Sequence, residues 1–442
     1  MGVKVPEMSG ATDSGVSAKT LDGRLTQLCI ISIPTLMFAN LTVVGQLYLP
    51  EAILLILLPG LLWKRGRWLH ARLPGSILLF GGLWLASQVL TDAFRSTPYE
   101  DWSRGWAKIG FFLLEFAALY LLLRGNRTRM LLFLTGIAIG LPLAYATAPS
   151  VNALQDPWKF VYGPSITLLV IVAANLGTIR RHLPLQLGLV ATVGVVNLAM
   201  GSRGLFLLCF LAAAYVFMSR RRNKLVRGGH PHRDRLWPAV TAVLIVGVVA
   251  GIGYGYAAQH GWLGAPALTK YAAQSGGKYG VLFGGRVGVF VSSQAILDSP
   301  VLGHGSWAKD WKYQNLLDQR LAQLGYGGAP YFGEGVPPIP AHSYLLGAWV
   351  ESGVLGAVFW AWVLLITYRA ARTTYGLDEP FTMLFAFAAA TLLWSVLFSP
   401  FAAQERVYAA FYIVVVLSFA MPNGTFRDRG APQRATPDWA AK

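Results

Sequence analysis

Long apolar runs, separated by short polar segments, make up most of this chain. A run of about 17–25 apolar residues is long enough to cross a bilayer as a helix, and a helix satisfies the backbone hydrogen bonds of a single segment surrounded by lipid. The pattern predicts an all-α, polytopic membrane protein with twelve transmembrane helices. The predicted spans are 26–44, 46–63, 73–91, 105–123, 130–148, 160–178, 183–200, 203–219, 237–257, 342–368, 381–399 and 402–420.

These spans divide the chain into four parts. Residues 1–257 contain the first nine helices, residues 342–420 contain the last three, and residues 421–442 form a polar tail. Between them, residues 258–341 form a segment of mixed polarity, which we predict to be a large, partly helical loop. Loops of this length are usually functional or carry structure of their own.

Two helices are predicted inside this loop from the helical spacing of apolar side chains. In GRVGVFVSSQAILDSP, residues 285–300, the spacing places Val287, Phe290, Val291 and Leu297 on one face. The stretch AKDWKYQNLLDQRLAQLG, residues 308–325, has a second apolar face, and its terminal glycine is a suitable stop. This face consists of Tyr313, Leu316, Leu317, Leu321 and Leu324. We therefore expect the loop to fold as a cap, partly at the membrane interface.

Charge gives the predicted orientation of the helices. Only 13% of the 442 residues are charged and 55% are hydrophobic, whereas soluble domains carry about 25% charged residues. The net charge of +17 would suggest a nucleic-acid partner in a soluble protein. Here most Lys and Arg residues fall in alternate loops and at both termini, which the positive-inside rule places in the cytoplasm. We therefore expect no nucleic-acid partner, cytoplasmic termini, and residues 258–341 on the outer side.

His342 is the first candidate functional residue, because it stands where the outer loop meets the tenth span. The preceding Pro-Pro-Ile-Pro cannot continue a helix backwards, so the helix should begin near Ala341 to Ser343. Its first N–H groups then offer an anion site. The positive end of the helix dipole favours a neutral imidazole that can accept a proton. The alternative is a histidine at the level of the lipid headgroups.

Two arginines strengthen the functional reading of the outer face. Arg203 lies in a very short outer turn between spans seven and eight, and Arg286 opens the first loop helix behind two glycines. Ionisable residues next to apolar surroundings are costly and often functional, and the planar guanidinium matches phosphate oxygens bidentately. We predict that both bind an anionic lipid headgroup; the alternative is contact with ordinary membrane lipids.

Further outer-side residues are possible substrate contacts. His304 stands between glycines that permit a close backbone approach, which suits a structural turn as well as a binding site. Trp307 and Tyr331 could contact carbohydrate, with loop packing as the alternative.

The remaining outer-side acids are interpreted as structural. Asp92, Glu100 and Asp101 lie with Arg95 and Arg104 in the outer loop 92–104, a composition that indicates a solvated loop and not a metal cage. Glu351 lies about 13 Å along the helix from His342, at ~1.5 Å per residue, so we assign it to helix packing. No metal site and no cofactor are predicted.

The sequence HSYLLGAWVESGVLG, beginning at His342, resembles the histidine motif of the O-antigen ligase and polymerase superfamily. The likeness is a His, a Leu three residues on, and Glu-x-Gly-x-x-Gly. That family pairs this motif with an arginine in a short outer turn and an arginine opening a loop helix that runs to Gly-x-Gly. The segments around Arg203 and from Arg286 to Gly305 are similar to these in order and spacing.

The resemblance implies a glycosyltransferase-C-like membrane enzyme, and within the superfamily the ligase is the nearest match. Its donor would be O-antigen polysaccharide on undecaprenyl pyrophosphate, and its acceptor a sugar of the lipid A–core oligosaccharide. The reaction would take place on the periplasmic face of a bacterial inner membrane, without metal or ATP. His342 would act as general base, and Arg203 and Arg286 would bind the pyrophosphate.

Three other functions stay open on the sequence alone. A polysaccharide polymerase or a protein O-oligosaccharyltransferase would use the same donor with a different acceptor. A secondary transporter can also have twelve spans, but transporters are commonly built from repeated halves with the binding site near the midplane, and no such repeat is visible here.

Overall fold

The computed structural model describes residues 26–42, 46–227, 251–264, 268–269, 271–272, 288–325, 335–377 and 379–420. This part is all-α apart from one short hairpin of β1 (Asn40–Thr42) and β2 (Gln46–Tyr48). Five of its helices are long and apolar enough to cross a membrane, and shorter apolar helices accompany them. The prediction of an all-α protein with membrane-spanning helices is confirmed at that level.

The helix bounds follow the apolar runs closely. In chain order the helices are α1 (Thr26–Phe38), α2 (Leu49–Arg65), α3 (Arg72–Arg95), α4 (Tyr99–Leu123), α5 (Arg127–Thr147), α6 (Val151–Gln155), α7 (Trp158–Ala174), α8 (Gly177–Arg181), α9 (Leu183–Ala199), α10 (Arg203–Arg227), α11 (Gly288–Asp298), α12 (Trp311–Gln323), α13 (Tyr344–Ser352), α14 (Val354–Thr374), α15 (Thr382–Phe398) and α16 (Glu405–Ala420).

Local signals set several of these ends. The α5 helix starts at Asn126, whose side chain accepts a hydrogen bond from the Arg129 backbone N–H at 3.0 Å, as an N-cap residue does. The α3 helix ends at Ser96, which adopts a left-handed φ of 51°, and Pro98 precedes the start of α4. These ends create a tight turn between α3 and α4 on the side of the molecule that carries His342.

Two predicted spans differ from the structure. Span 26–44 is shorter than predicted, because its helix ends at Phe38 and the chain turns into the β-hairpin. Span 342–368 is two helices, α13 and α14, separated at Gly353, which has a φ of 67°. A Cβ at Gly353 would clash with the Val301 carbonyl oxygen, so only glycine lets the loop dock into this break. Most of span 237–257 lies outside the described residues.

Both helices predicted in the outer loop are present, as α11 and α12, and Gly325 follows the end of α12 with a φ of 76°. The apolar face predicted for the first is confirmed at Val291 and wrong at Phe290 and Leu297, and Val287 lies outside the described residues. Leu297 is 73% exposed, whereas Val291 and Ala295 are fully buried. The buried face is set by docking onto the segment before α13, where Ser292 Oγ donates to the Pro340 carbonyl at 2.6 Å.

An aromatic cluster holds α3, α4, α13 and α14 together beneath this loop. Trp84 is 1% exposed; its ring stacks on Phe359 at 5.1 Å, and its Nε1–H donates to Ser352 Oγ at 2.9 Å. A buried tryptophan needs such a partner for its N–H. Phe112 and Trp360 extend the cluster. These rings pack together below the loop and the start of α13.

A buried group of charges joins α2, α4 and α16. Arg406 is 3% exposed, and its Nη2 lies 2.7 Å from Glu51 Oε1 while its Nε lies 3.9 Å from Glu115 Oε1. The same Nη2 donates to the Gln46 carbonyl at 2.6 Å, which ties the group to the β-hairpin. One buried cation therefore faces two buried carboxyl groups.

Candidate functional site

A cavity of about 290 Å³ opens beside His342. His342 is exposed and lines this cavity, and Ser343 caps the helix behind it. The Ser343 Oγ accepts from the Leu346 backbone N–H at 3.1 Å and donates to the Val396 carbonyl at 2.8 Å. The predicted start of the helix just after the prolines is confirmed, and α13 begins one residue after its cap.

The same cavity is also lined by a charged pair and an aromatic ring. Lys108 Nζ lies 2.6 Å from Glu351 Oε2, with the two side chains 12% and 19% exposed. The Lys108 Nζ also lies 5.8 Å from the centre of the Trp307 ring, and Trp307 adopts a left-handed φ of 52°. Glu351 was assigned to helix packing; in the structure it lines the cavity together with His342.

A larger cavity, of about 740 Å³, lies on the other side of the same region. Arg203 lines it from the first residue of α10, directly after Gly201 and Ser202, and Lys159 adds a second positive charge. Most of the other lining residues are apolar, among them Leu141, Leu168, Leu205, Leu208, Phe387, Leu392, Trp394 and Phe398. Glu405 also lines the cavity, which therefore combines two basic groups and one acidic group with walls that suit a hydrocarbon chain.

Tyr344, Pro400 and Ala402 line both cavities, so the two cavities adjoin at these residues. The Tyr344 hydroxyl donates to Glu405 Oε2 at 2.8 Å, which holds the ring at this junction. His342 lines one of the adjoining cavities and Arg203 lines the other. The structure brings these two predicted residues into one region although they are far apart in sequence.

The other predicted site residues are placed differently. Trp307 lines the smaller cavity. His304 lines neither cavity; its ring nitrogen lies 2.7 Å from the Ala295 carbonyl and its ring packs edge-on against Tyr313, so it holds the loop together. Arg286 and Tyr331 lie outside the described residues, and their roles stay predictions.

The structure corrects the interpretation of the acids in 92–104 as a solvated loop for Asp92 and Asp101, whereas Glu100 is exposed as predicted. Asp92 is 3% exposed and accepts from the Ser306 backbone N–H at 2.7 Å and from Trp106 Nε1 at 2.8 Å. Asp101 is 8% exposed and pairs with Lys309 at 2.8 Å. These acids anchor the outer loop to α3 and α4. Within the described ranges, no cluster of His, Cys, Asp or Glu has the arrangement of a metal site.

Sequence reasoning missed Lys108 and Glu405, and also Lys159 of the larger cavity. Lys108 had a usable signal, because a lysine inside an apolar span is costly unless it has a partner. Glu405 had a weaker one, since it follows a polar turn at the start of the last span. Their partners, Glu351 and Tyr344, are distant in sequence and could not be inferred from spacing.

A second set of polar contacts joins the two helices of the outer loop. Asp298, at the end of α11, accepts from Lys312 Nζ at 2.6 Å, from the Tyr313 hydroxyl at 2.7 Å and from Gln294 Nε2 at 2.9 Å. Hydrogen bonds from Lys312, then Tyr313 and Gln294, lower the pKa of Asp298 to about 2. Burial, and then the bond to this carboxylate, raise the pKa of Tyr313.

We expect the loop helices α11 and α12 to lose stability in acid. Because the folded pKa of Asp298 is about 2 and an unfolded aspartate has a pKa of about 3.9, its stabilisation is complete above the higher value and is lost as pH falls through the lower. Hydrogen-exchange protection of both helices, corrected for intrinsic rates, should fall between about pH 4 and pH 2.

The Asp298→Asn variant should show weaker protection at neutral pH and little further loss in acid, while protection of α4 serves as the internal reference. If protection of Asp298→Asn fell in acid as much as that of the wild type, the effect would belong to another titratable group.

Searches against family profiles, curated proteins and solved structures found no match to this chain. The likeness of the motif at His342 to a known family therefore stays a prediction. Function is inferred from the two cavities and the residues that line them.

Proposed function

We propose that this protein is a membrane glycosyltransferase that transfers O-antigen polysaccharide from undecaprenyl pyrophosphate to a sugar hydroxyl of lipid A–core. The observation that carries this proposal is the pair of adjoining cavities, one lined by His342 and the other by Arg203, with Tyr344 lining both. A transfer between two large lipid-linked substrates needs two sites that meet at the reacting atoms. No cofactor or metal is part of the proposed reaction.

The larger cavity suits the donor. A polyprenyl pyrophosphate has a dianionic head and a long hydrocarbon tail, and this cavity has basic residues and apolar walls. Arg203 stands at the first turn of α10, where backbone N–H groups and the helix dipole also favour an anion. Arg286 would add a second guanidinium, as the family resemblance implies.

The smaller cavity suits the acceptor sugar. Sugars bind through hydroxyl hydrogen bonds and through stacking on aromatic rings, and here Lys108 and Glu351 lie beside Trp307. Fixed charged groups of this kind are strong hydrogen-bond partners for hydroxyls. His342 shares the cavity, so an acceptor bound there would place a hydroxyl near the imidazole.

The chemistry is a single displacement at the anomeric carbon. His342 takes the proton of the acceptor hydroxyl as its oxygen forms the new C–O bond. The C–O bond to the pyrophosphate breaks, and the pyrophosphate leaves with the electron pair. Because the acceptor oxygen attacks opposite the leaving group, the configuration of the anomeric centre is inverted. Arg203 stabilises the developing phosphate charge in a water-poor site, where such contacts count most.

The proposal includes a membrane arrangement. Twelve spans, cytoplasmic termini and a periplasmic cap of residues 258–341 would put both cavities at the outer face of an inner membrane, within a glycosyltransferase-C-like fold. The basic loops support this orientation. The apolar helices that surround the larger cavity support access for a lipid tail from the side.

We expect the purified protein in detergent to transfer polysaccharide from undecaprenyl pyrophosphate to lipid A–core with excess EDTA and no nucleotide, detected as lipopolysaccharide on a gel. Arg203→Ala should raise the donor concentration for half-maximal rate by about 10- to 100-fold, since a hydrogen bond to a charged group contributes about 1.5–3 kcal/mol. Arg203→Lys should recover only part of this, because the bidentate fork is lost.

Arg181→Ala is the matched control, since Arg181 is exposed and lines neither cavity. Donor binding without transfer would indicate another acceptor and favour a polysaccharide polymerase or a protein O-oligosaccharyltransferase. A wild-type protein that binds no donor would contradict the proposal and favour a transporter.

A further inference from the structure

Three arginines converge at the end of α4 that lies away from both cavities. Arg65 ends α2, Arg124 caps the last turn of α4, and Arg129 lies in the first turn of α5. Lys108, which lines the smaller cavity, lies 13 residues before Leu121 in α4, a distance of about 20 Å at ~1.5 Å per residue. This arginine cluster is therefore separate from the proposed active site.

Hydrogen bonds and a shared aromatic ring hold the cluster together. Arg65 Nη1 donates to the Leu121 carbonyl at 2.9 Å, and Arg129 Nη1 donates to the Leu122 carbonyl at 3.0 Å. The guanidinium carbons of Arg65 and Arg124 lie 5.3 Å and 4.6 Å from the centre of the Trp68 ring. All four side chains are partly buried.

The described residues around Arg65 and Arg129 do not balance the charge of these two side chains. The C-terminus of α4 attracts the cations, but a helix end carries only about half an elementary charge. Within the described ranges, Arg65 and Arg129 each make one side-chain hydrogen bond, to a carbonyl, and neither contacts a carboxylate. Each guanidinium has five donors, so both have donors left for an anion between them.

We propose that Arg65, Arg129 and Trp68 form a binding site for a phosphate group, with Arg124 beside it. Two guanidiniums can bind phosphate oxygens bidentately, and tryptophan is typical of the boundary between membrane and water. The site lies where the apolar helices α2 and α4 end, which favours the headgroup of an anionic phospholipid over free phosphate. Basic pockets between transmembrane helices bind anionic lipid headgroups in this way.

The test uses the full-length protein in a neutral detergent and measures bound lipid by native mass spectrometry during titration with phosphatidylglycerol, cardiolipin or phosphatidylcholine. Arg65→Gln and Arg129→Gln should each weaken binding of the anionic lipids about fivefold, the typical contribution of one basic residue near an anionic surface. Glutamine keeps the side chain as far as Cδ and a neutral N–H donor while it removes the charge, and the melting temperature in phosphatidylcholine checks that the fold is retained.

Arg67→Gln is the matched control. Arg67 is exposed in the same short turn as Trp68, and its substitution by Gln removes the same charge. Wild-type binding of anionic lipid that survives Arg67→Gln and weakens in the other two variants would support the site. Competition by inorganic phosphate would also support the site and would show that the phosphate group alone is sufficient for binding. Equal binding of phosphatidylcholine, or equal loss in Arg67→Gln, would overturn it.

Discussion

His342→Ala should reduce the rate of polysaccharide transfer by about 10²- to 10⁴-fold, the usual contribution of a general base, with donor binding unchanged. The imidazole is exposed and lines the smaller cavity, whereas the donor is assigned to the larger one. None of the described residues makes a hydrogen bond to its ring, so its removal should leave the fold intact. Single-turnover transfer assays beside donor-binding titrations would separate the two effects.

Two other histidines give controls for this prediction. His70→Ala changes an exposed histidine that lines neither cavity and should leave transfer unchanged. His304→Ala removes the contact to the Ala295 carbonyl and should lower the melting temperature of the protein. Full activity of His342→Ala would remove His342 from the mechanism. A His342→Ala variant that loses donor binding and transfer together would instead indicate a role in the shape of the site.

Arg406→Leu should be the most destabilising single change in the membrane part of the molecule. Its guanidinium lies between Glu51 and Glu115, which are each 2% exposed. Breaking a buried ion pair by removing one partner typically costs about 3–5 kcal/mol, because the other charge stays buried and uncompensated. The loss should appear as a much lower melting temperature and a lower yield of folded protein in detergent.

Neutralising the carboxyl groups should reverse most of that loss. The triple variant Arg406→Leu, Glu51→Gln, Glu115→Gln has no buried charge at this position and should regain a large part of the wild-type melting temperature. Replacing a complete buried ionic group by neutral side chains is often close to neutral in stability. An Arg406→Leu protein as stable as wild type would show that the group is hydrated and contributes little.

The comparison of α12 with α11 shows how well the spacing of apolar residues predicts the buried face of a helix. In α12 the predicted face holds, since Tyr313 is 1% exposed and Leu321 is 7% exposed. In α11 the pattern favoured Phe290 and Leu297, but these are 45% and 73% exposed. Apolar spacing identifies a helix, whereas its buried face is chosen by the neighbour it packs against, here the chain before α13.

The break at Gly353 illustrates the same limit within a transmembrane segment. The apolar run across 342–368 has no proline or charged cluster that would interrupt a helix after Ser352. The interruption comes from residues 301–305, whose backbone bonds to the end of α13: the His304 N–H donates to the Val350 carbonyl at 2.7 Å. The sequence shows the glycine in this run, but it does not show that residues 301–305 dock against it.

The sequence by itself determined the helices, their approximate ends, and the positions of His342 at a helix start and Arg203 in a short turn. Each of these depends on hydrogen bonds and apolar burial over a few consecutive residues. Only the tertiary structure decided that Tyr344 lines two adjoining cavities, that Lys108 pairs with Glu351, and that Asp92 anchors the outer loop. These contacts join residues far apart along the chain, and they form only when packing has chosen which helices meet.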